Sequence, residues 1–133
     1  MIKDHEKFRP TAYLPTKNDI PTIGYGHTRG VQTGDVCTLD DALGWLADDL
    51  VIAEAAIRKH VTVPLTQNQF DALVSLVFNI GEPHFAESTL LRMLNDSQYG
   101  AAAAQFDRWV YQKKRKLPGL VTRRAAERKL FES

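Results

Sequence analysis

The sequence predicts an α+β fold of one domain, with a small β-hairpin or meander carried on a mainly α-helical body. Three observations predict it. Thr11 to Thr28 concentrate β-branched and aromatic side chains between the turn formers Pro15, Asn18, Asp19, Pro21, Gly24 and Gly26, which marks short strands. From Thr38 onward apolar residues recur at helical spacing, which marks amphipathic helices. The length of 133 residues, 44% hydrophobic and 25% charged, suits one core that buries about two thirds of the unfolded surface without metal or disulfide. The β subdomain is expected at about 11–30 and the helical body at about 38–133.

The elements follow in chain order. Residues 1–9 carry Ile2 and Phe8 and are expected to form a short helix that Pro10 closes, because the residue before proline disfavours the α region. Glu6 then sits in its last turns. Thr38 with Asp41 forms a capping box with Asp in the usual Glu place, ahead of Leu39, Leu43, Leu46, Leu50 and Ile57. Thr66 with Gln69 is a closer match, and Phe70, Leu73, Val74, Val77 and Phe78 give the next helix one apolar face that ends at the C-cap Gly81. A third helix carries Leu90, Leu91, Met93 and Leu94, and a fourth Tyr99, Ala102, Ala103, Phe106 and Trp109. A last helix follows the break at Leu117, Pro118 and Gly119 and bears Ala125, Ala126 and Leu130. Residues 11–28 are the one convincing β region, and a cleft is expected at the seam between the two parts.

Composition narrows the function classes. The single Cys37 forms no internal disulfide, and no Cys/His cluster suggests a zinc site. No apolar run approaches the roughly 18 residues of a membrane span, and the charged N-terminus is unlike a signal peptide. Net charge is only +1, yet Lys113, Lys114, Arg115, Lys116, Arg123, Arg124, Arg128 and Lys129 crowd the last quarter. Such a patch attracts an anionic polymer. Nucleic acid is disfavoured as a partner, because no helix-turn-helix, zinc-finger or RNA-binding signature accompanies the patch.

The chemistry centres on an acid at the end of the first helix, Glu6, followed by a hairpin that holds Asp19 and Thr22. Glycosidic hydrolysis needs a protonated carboxyl group for the leaving oxygen, and a second carboxylate that attacks or orients water. Glu6 and Asp19 on facing elements meet that need. The proton donor has to stay neutral near physiological pH, which calls for partly apolar surroundings such as Phe8 and Tyr25 supply. His27 at the strand end is expected to pair with Asp49 in a supporting role. Trp109, Phe78 and Phe106 are expected in the core, and Asn79 and Glu82 beside Gly81 are expected to contact substrate.

The run from Glu6 to Tyr13, E-K-F-R-P-T-A-Y, and that from Thr22 to Thr28, T-I-G-Y-G-H-T, closely resemble the E-G-x-R-x-x-A-Y and T-I-G-Y-G-H-T signatures of phage-type lysozymes, the endolysins or muramidases of glycoside hydrolase family 24. The resemblance continues through Phe78-Asn79-Ile80-Gly81 and Ser88-Thr89-Leu90-Leu91. It reaches the C-terminus in Phe106-x-x-Trp109 and Gly119-Leu120-x-x-Arg123-Arg124-Ala125-x-Glu127.

The resemblance implies a lysozyme-like fold, and hydrolysis of the β-1,4 bond between N-acetylmuramic acid and N-acetylglucosamine in bacterial peptidoglycan, without cofactor. It puts the catalytic glutamate on Glu6 and a water-holding threonine on Thr22, and it brings one of Arg123 and Arg124 towards the catalytic carboxylate. It further implies inversion, for which the Glu6 and Asp19 carboxyls should stand about 6.5 to 9.5 Å apart. Two positions depart from the family pattern. Pro15 occupies the usual place of the second carboxylate, with one extra residue before Thr22, so Asp19 is assigned to orient the water. Lys7 replaces the usual glycine after the glutamate, which bears on the backbone conformation there.

The alternatives are a lytic transglycosylase, which Pro15 keeps open, and a peptidoglycan-binding module without catalysis. The protein is expected to act as a monomer, without stable membrane insertion. The family further implies that it waits in the host cytoplasm and reaches the wall through a lesion made by a holin.

Overall fold

The computed structural model describes residues 2–13, 22–25, 27, 31–32, 35–112 and 114–133. They divide into two compact units, Met1–Ile52 and Ala53–Ser133.

In the first unit, helix α1 (Ile2–Glu6) leads into strand β1 (Arg9–Tyr13), which pairs antiparallel with β2 (Thr22–Gly24). The helix is shorter than the pattern over 1–9 suggests, and Pro10 lies inside β1 instead of closing α1. What stops the helix is Lys7: its N–H still donates to Lys3 O at 2.9 Å, but its φ of 50° turns the chain into the left-handed region. That is the usual geometry of a helix C-terminal cap, a place glycine ordinarily takes. Proline fits the strand because its carbonyl can still accept, here from Cys37 N at 2.7 Å, while it offers no N–H to leave unpaired. Val36 bridges Thr11, so β1 has chain on both sides.

Helix α2 (Leu39–His60) starts at the predicted capping box. Thr38 N donates to Asp41 Oδ2, and Asp41 N to Thr38 Oγ1, each at 3.1 Å. Its buried apolar side chains are Ala42, Leu46, Ala53, Ala56 and Ile57, whereas Leu39 and Leu43 are exposed. The boundary between the units falls within this helix, after Ile52.

In the second unit, α3 (Gln67–Ile80) has both bonds of the Thr66–Gln69 capping box and ends on Gly81, whose N–H donates to Val77 O. Residues Ala72 to Val77 are all buried. Each fully covered Leu or Phe side chain in such a core contributes about 1.5 to 3 kcal/mol. A short α4 (Glu82–Ala86), not evident from the sequence pattern, sets Phe85 wholly inside. Ser88 caps α5 (Thr89–Asn95) by accepting from Leu91 N at 3.0 Å. The Asn95 side chain ties the end of α2 to this layer, donating to His60 O and accepting from Thr62 N. Helix α6 (Tyr99–Gln105) runs into a 3₁₀ turn, Phe106–Arg108, and α7 (Pro118–Glu132) packs on α3 and on that turn, with Phe131 against Phe106 at 5.4 Å.

One element corrects the expectation that everything after Thr38 is helical. Strands β3 (Tyr111–Gln112) and β4 (Arg115–Lys116) form a second antiparallel hairpin, extended by Leu117 N donating to Val110 O at 3.0 Å. Strands of two residues are too short to show period-two alternation.

Candidate functional site

Glu6 closes α1 with its side chain half-buried. It stands three residues before Arg9, which pairs with Gly24, while Thr22 pairs with Tyr13 at the other end of the ladder. One short ladder therefore links the helix carrying Glu6 to the strand carrying Thr22. The register shifts between Arg9 and Tyr13, an irregularity that re-aims side chains next to a site. Phe8 and Tyr25, the apolar neighbours anticipated for Glu6, stack tilted with ring centroids 5.8 Å apart. Asp19 and Pro15 lie outside the described residues, and of Thr22 only the backbone is described.

The strand end is fastened to α2 as anticipated. His27 Nδ1 lies 2.9 Å from Asp49 Oδ2. The carboxylate can only accept there, so the proton is on Nδ1. The imidazole also stacks on Trp45, with centroids 4.6 Å apart and planes at 13°. Gly24 takes φ +64° and its Cα faces Ala42 and Trp45, leaving no room for a larger residue. Ala42, Trp45 and Asp49 follow at spacings of three and four, so one face of α2 receives the strand end.

In the second unit, Asn79 is exposed near the end of α3, and Glu82, on α4, has Oε2 at 3.8 Å from His60 Nε2. Arg123 and Arg124 are not on a solvated basic face: they are 4% and 0% exposed. Arg124 Nε lies 2.7 Å from Glu127 Oε1, and Arg123 Nε 3.2 Å from Glu127 Oε2. Ser75 Oγ donates to the same carboxylate, and Arg123 also donates to Ser75 O at 3.3 Å. Burial pushes the Glu127 carboxyl above its usual range, and Arg124, Ser75 and Arg123 pull it back. Spacing within α7 brings these three residues together, but Ser75 comes from α3, which local patterning does not reveal.

The same unit has a groove of about 390 Å³ lined by His84, Glu87, Ser88, Thr89, Gln105, Arg108 and Trp109. Trp109 is half-buried at its rim, edge-on to His84 at 6.1 Å, instead of wholly in the core like Phe106. Phe78 is likewise half-buried. The sequence signal for this groove was the Ser88-Thr89 cap, read only for its place in the family pattern. Among the described residues no group of three or more His, Cys, Asp or Glu side chains is placed to hold a metal ion. No helix among them is long and apolar enough to cross a membrane.

Residues 3–127 match the sequence profile of the phage lysozyme family. The chain belongs to that family. An endolysin of Acyrthosiphon pisum secondary endosymbiont phage 1 is 45% identical over 137 residues, covering 100% of this chain and 93% of the relative. An endolysin of Salmonella phage P22 is 46% identical, covering 99% and 92%. Among solved structures, the muramidase domain of SpmX from Asticaccaulis excentricus matches with a TM-score of 0.87 at 39% identity, over 99% of this chain and 92% of that one. A P22 lysozyme mutant matches at 0.78 and 43%, with the same coverage. The α+β, lysozyme-like fold read from the sequence is thus the fold of the phage lysozymes.

Proposed function

We propose that this phage lysozyme hydrolyses the β-1,4 bond between N-acetylmuramic acid and N-acetylglucosamine of bacterial peptidoglycan, with inversion. Glu6 donates its proton to the leaving glycosidic oxygen. Asp19 orients and deprotonates the attacking water from the opposite face of the sugar, and Thr22 holds that water. The carrying observation is the placement of Glu6 at the end of α1, half-buried, one short turn before the ladder that holds Thr22. His27, bonded to Asp49 and stacked on Trp45, keeps the far end of that strand in place. Tyr25, Asn79 and Glu82 contact the substrate, and the groove beside Trp109 offers hydrogen-bonding groups to its sugar and peptide parts. The enzyme acts as a monomer, without cofactor. It is made in the host cytoplasm and reaches the wall through a holin-type lesion.

Glu6→Gln tests the reading. The variant should keep its thermal melt and lose at least about a hundredfold in turnover of purified sacculi, the usual scale of a lost general acid. Mass spectrometry of the released muropeptides distinguishes hydrolysis, which adds one water, from transglycosylation, which leaves an anhydro sugar. Undiminished lysis by Glu6→Gln would overturn the assignment of Glu6, and anhydro products would overturn the hydrolytic mechanism.

A further inference from the structure

The β3–β4 hairpin concentrates charge that the fold does not use. Lys114, Arg115 and Lys116 are all exposed, and among the described residues no carboxylate pairs with any of them. Other cations of the same unit are engaged within the fold: Arg128 holds Asp107 at 2.5 Å and Glu132 at 3.3 Å, and Arg108 donates to Gln105. Across the ladder Arg115 stands opposite Gln112 and Lys116 opposite Tyr111, so neither cation faces an acid there. Lys114 adds a left-handed φ of 67°, a conformation costly for a residue with a Cβ. A turn that gathers exposed charge on a left-handed backbone without serving the core points to a partner outside the fold. The hairpin starts two residues after Trp109 of the groove, and its Tyr111 is 60% exposed.

We propose that this hairpin is a second, non-catalytic contact for the substrate polymer, gripping the carboxylates of stem peptides on glycan that continues beyond the groove. The proposal rests on the peptidoglycan reading above. Three cations form a weak site by themselves. A membrane surface calls for a second signal such as several inserted apolar groups, and the hairpin shows one exposed tyrosine. Double-stranded nucleic acid is ordinarily held through about six to ten phosphate contacts. A weak contact is effective when another site on the same protein already holds the same polymer, because the second encounter is then intramolecular. A peptidoglycan hydrolase supplies that condition.

The test compares the wild type with the triple variant Lys114→Asn, Arg115→Gln, Lys116→Gln, whose positions are exposed and whose Asn tolerates the left-handed turn. On intact sacculi at low ionic strength the variant should lose about tenfold in kcat/KM through KM, a typical steering effect. The gap should close at about 1 M salt, where the screening length is about 3 Å. On sacculi whose carboxylates are capped as neutral amides by a carbodiimide and an amine, the two proteins should turn over equally. Binding is read separately by co-sedimentation with intact sacculi in a Glu6→Gln background, so a failure of the catalytic assignment leaves this measurement standing. The proposal is overturned by unchanged co-sedimentation of the triple variant, or by an equal loss on the amide-capped sacculi. It is equally overturned if the cations govern binding to phosphatidylglycerol vesicles or a DNA duplex while sacculus turnover stays unchanged.

Discussion

Replacing Gly24 with alanine is expected to destabilise the protein by about 1 to 3 kcal/mol and to disturb the strand that carries Thr22. Two separate terms contribute. Gly24 sits at φ +64°, where an L side chain costs roughly 1 to 2 kcal/mol. An added Cβ would meet Ala42 Cβ at 3.0 Å, Ala42 Cα at 3.2 Å and Trp45 Cε3 at 3.4 Å. All three atoms lie on one face of α2, and the two of Ala42 cannot swing aside, so overpacking of about 1 kcal/mol or more applies. Alanine's lower freedom in the unfolded chain returns about 0.4 to 1 kcal/mol. For a chain of this size the balance corresponds to a fall in Tm of about 4 to 11 °C, read by calorimetry. A double-mutant cycle separates the terms: Ala42→Gly removes the 3.0 Å contact but leaves the dihedral strain, so the two substitutions should couple favourably by about 1 kcal/mol. A Tm shift under about 3 °C, or additivity within about 0.5 kcal/mol, would refute the reasoning.

Other expectations follow from the helix cap and the buried cluster. Lys7→Gly should be more stable than the wild type by up to about 1.5 kcal/mol, because relief of left-handed strain of about 1 to 2 kcal/mol is set against glycine's greater unfolded entropy of about 0.5 to 1 kcal/mol; Lys7→Val should be about 1 to 2 kcal/mol less stable than Lys7→Gly, since β-branching is worst at positive φ. Equal urea midpoints for those two variants would exclude Lys7 as the left-handed cap. Arg124→Met removes a guanidinium from a fully buried carboxylate and should cost about 3 to 5 kcal/mol in denaturant titration; a loss under about 1 kcal/mol would mean the pair carries nothing. The native Glu127 carboxyl lies above its unfolded value because burial outweighs its partners. The stability this proton linkage contributes is therefore fully present below the unfolded value of about 4.3 and is lost as pH rises through the folded value. Carbon NMR of the Glu127 carboxyl should give a midpoint above about 4.3, moved higher still by Arg124→Met; a midpoint below that value would reverse the assignment.

Where local chemistry decides structure, the sequence was readable. The Thr38–Asp41 and Thr66–Gln69 boxes and the Gly81 cap each need only residues within one turn of a helix end, and each forms as the residue types require. Where two local rules compete, reading a single one misleads. Pro10 disfavours a helical residue before it, which is compatible with a helix that ends three residues earlier at Lys7 and with a strand that starts at Arg9. The glycine signature of that cap is missing, so its position had no composition signal. Helix α4 and the β3–β4 hairpin, of five residues and of two per strand, lie below the length at which a period can be counted.

The candidate site divides along the same physical line. His27 and Asp49 were legible as a pair, because a strand end that packs on the following helix needs a partner for its imidazole, and the helix offers a carboxylate on the receiving face. Arg123 and Arg124 were not: in sequence they join a run of exposed cations, and among the described residues it takes Ser75, 52 positions from Glu127, together with the Trp109 carbonyl to let that charge enter the core. A charged residue is buried when its partners are supplied from elsewhere in the chain, so the last quarter divides into cations that hold the fold together and cations that do not. Arg123 and Arg124 belong to the first group, Lys114, Arg115 and Lys116 to the second. Substitution at the first should therefore register as lost stability, and substitution at the second as salt-dependent loss of turnover on sacculi with no loss of stability.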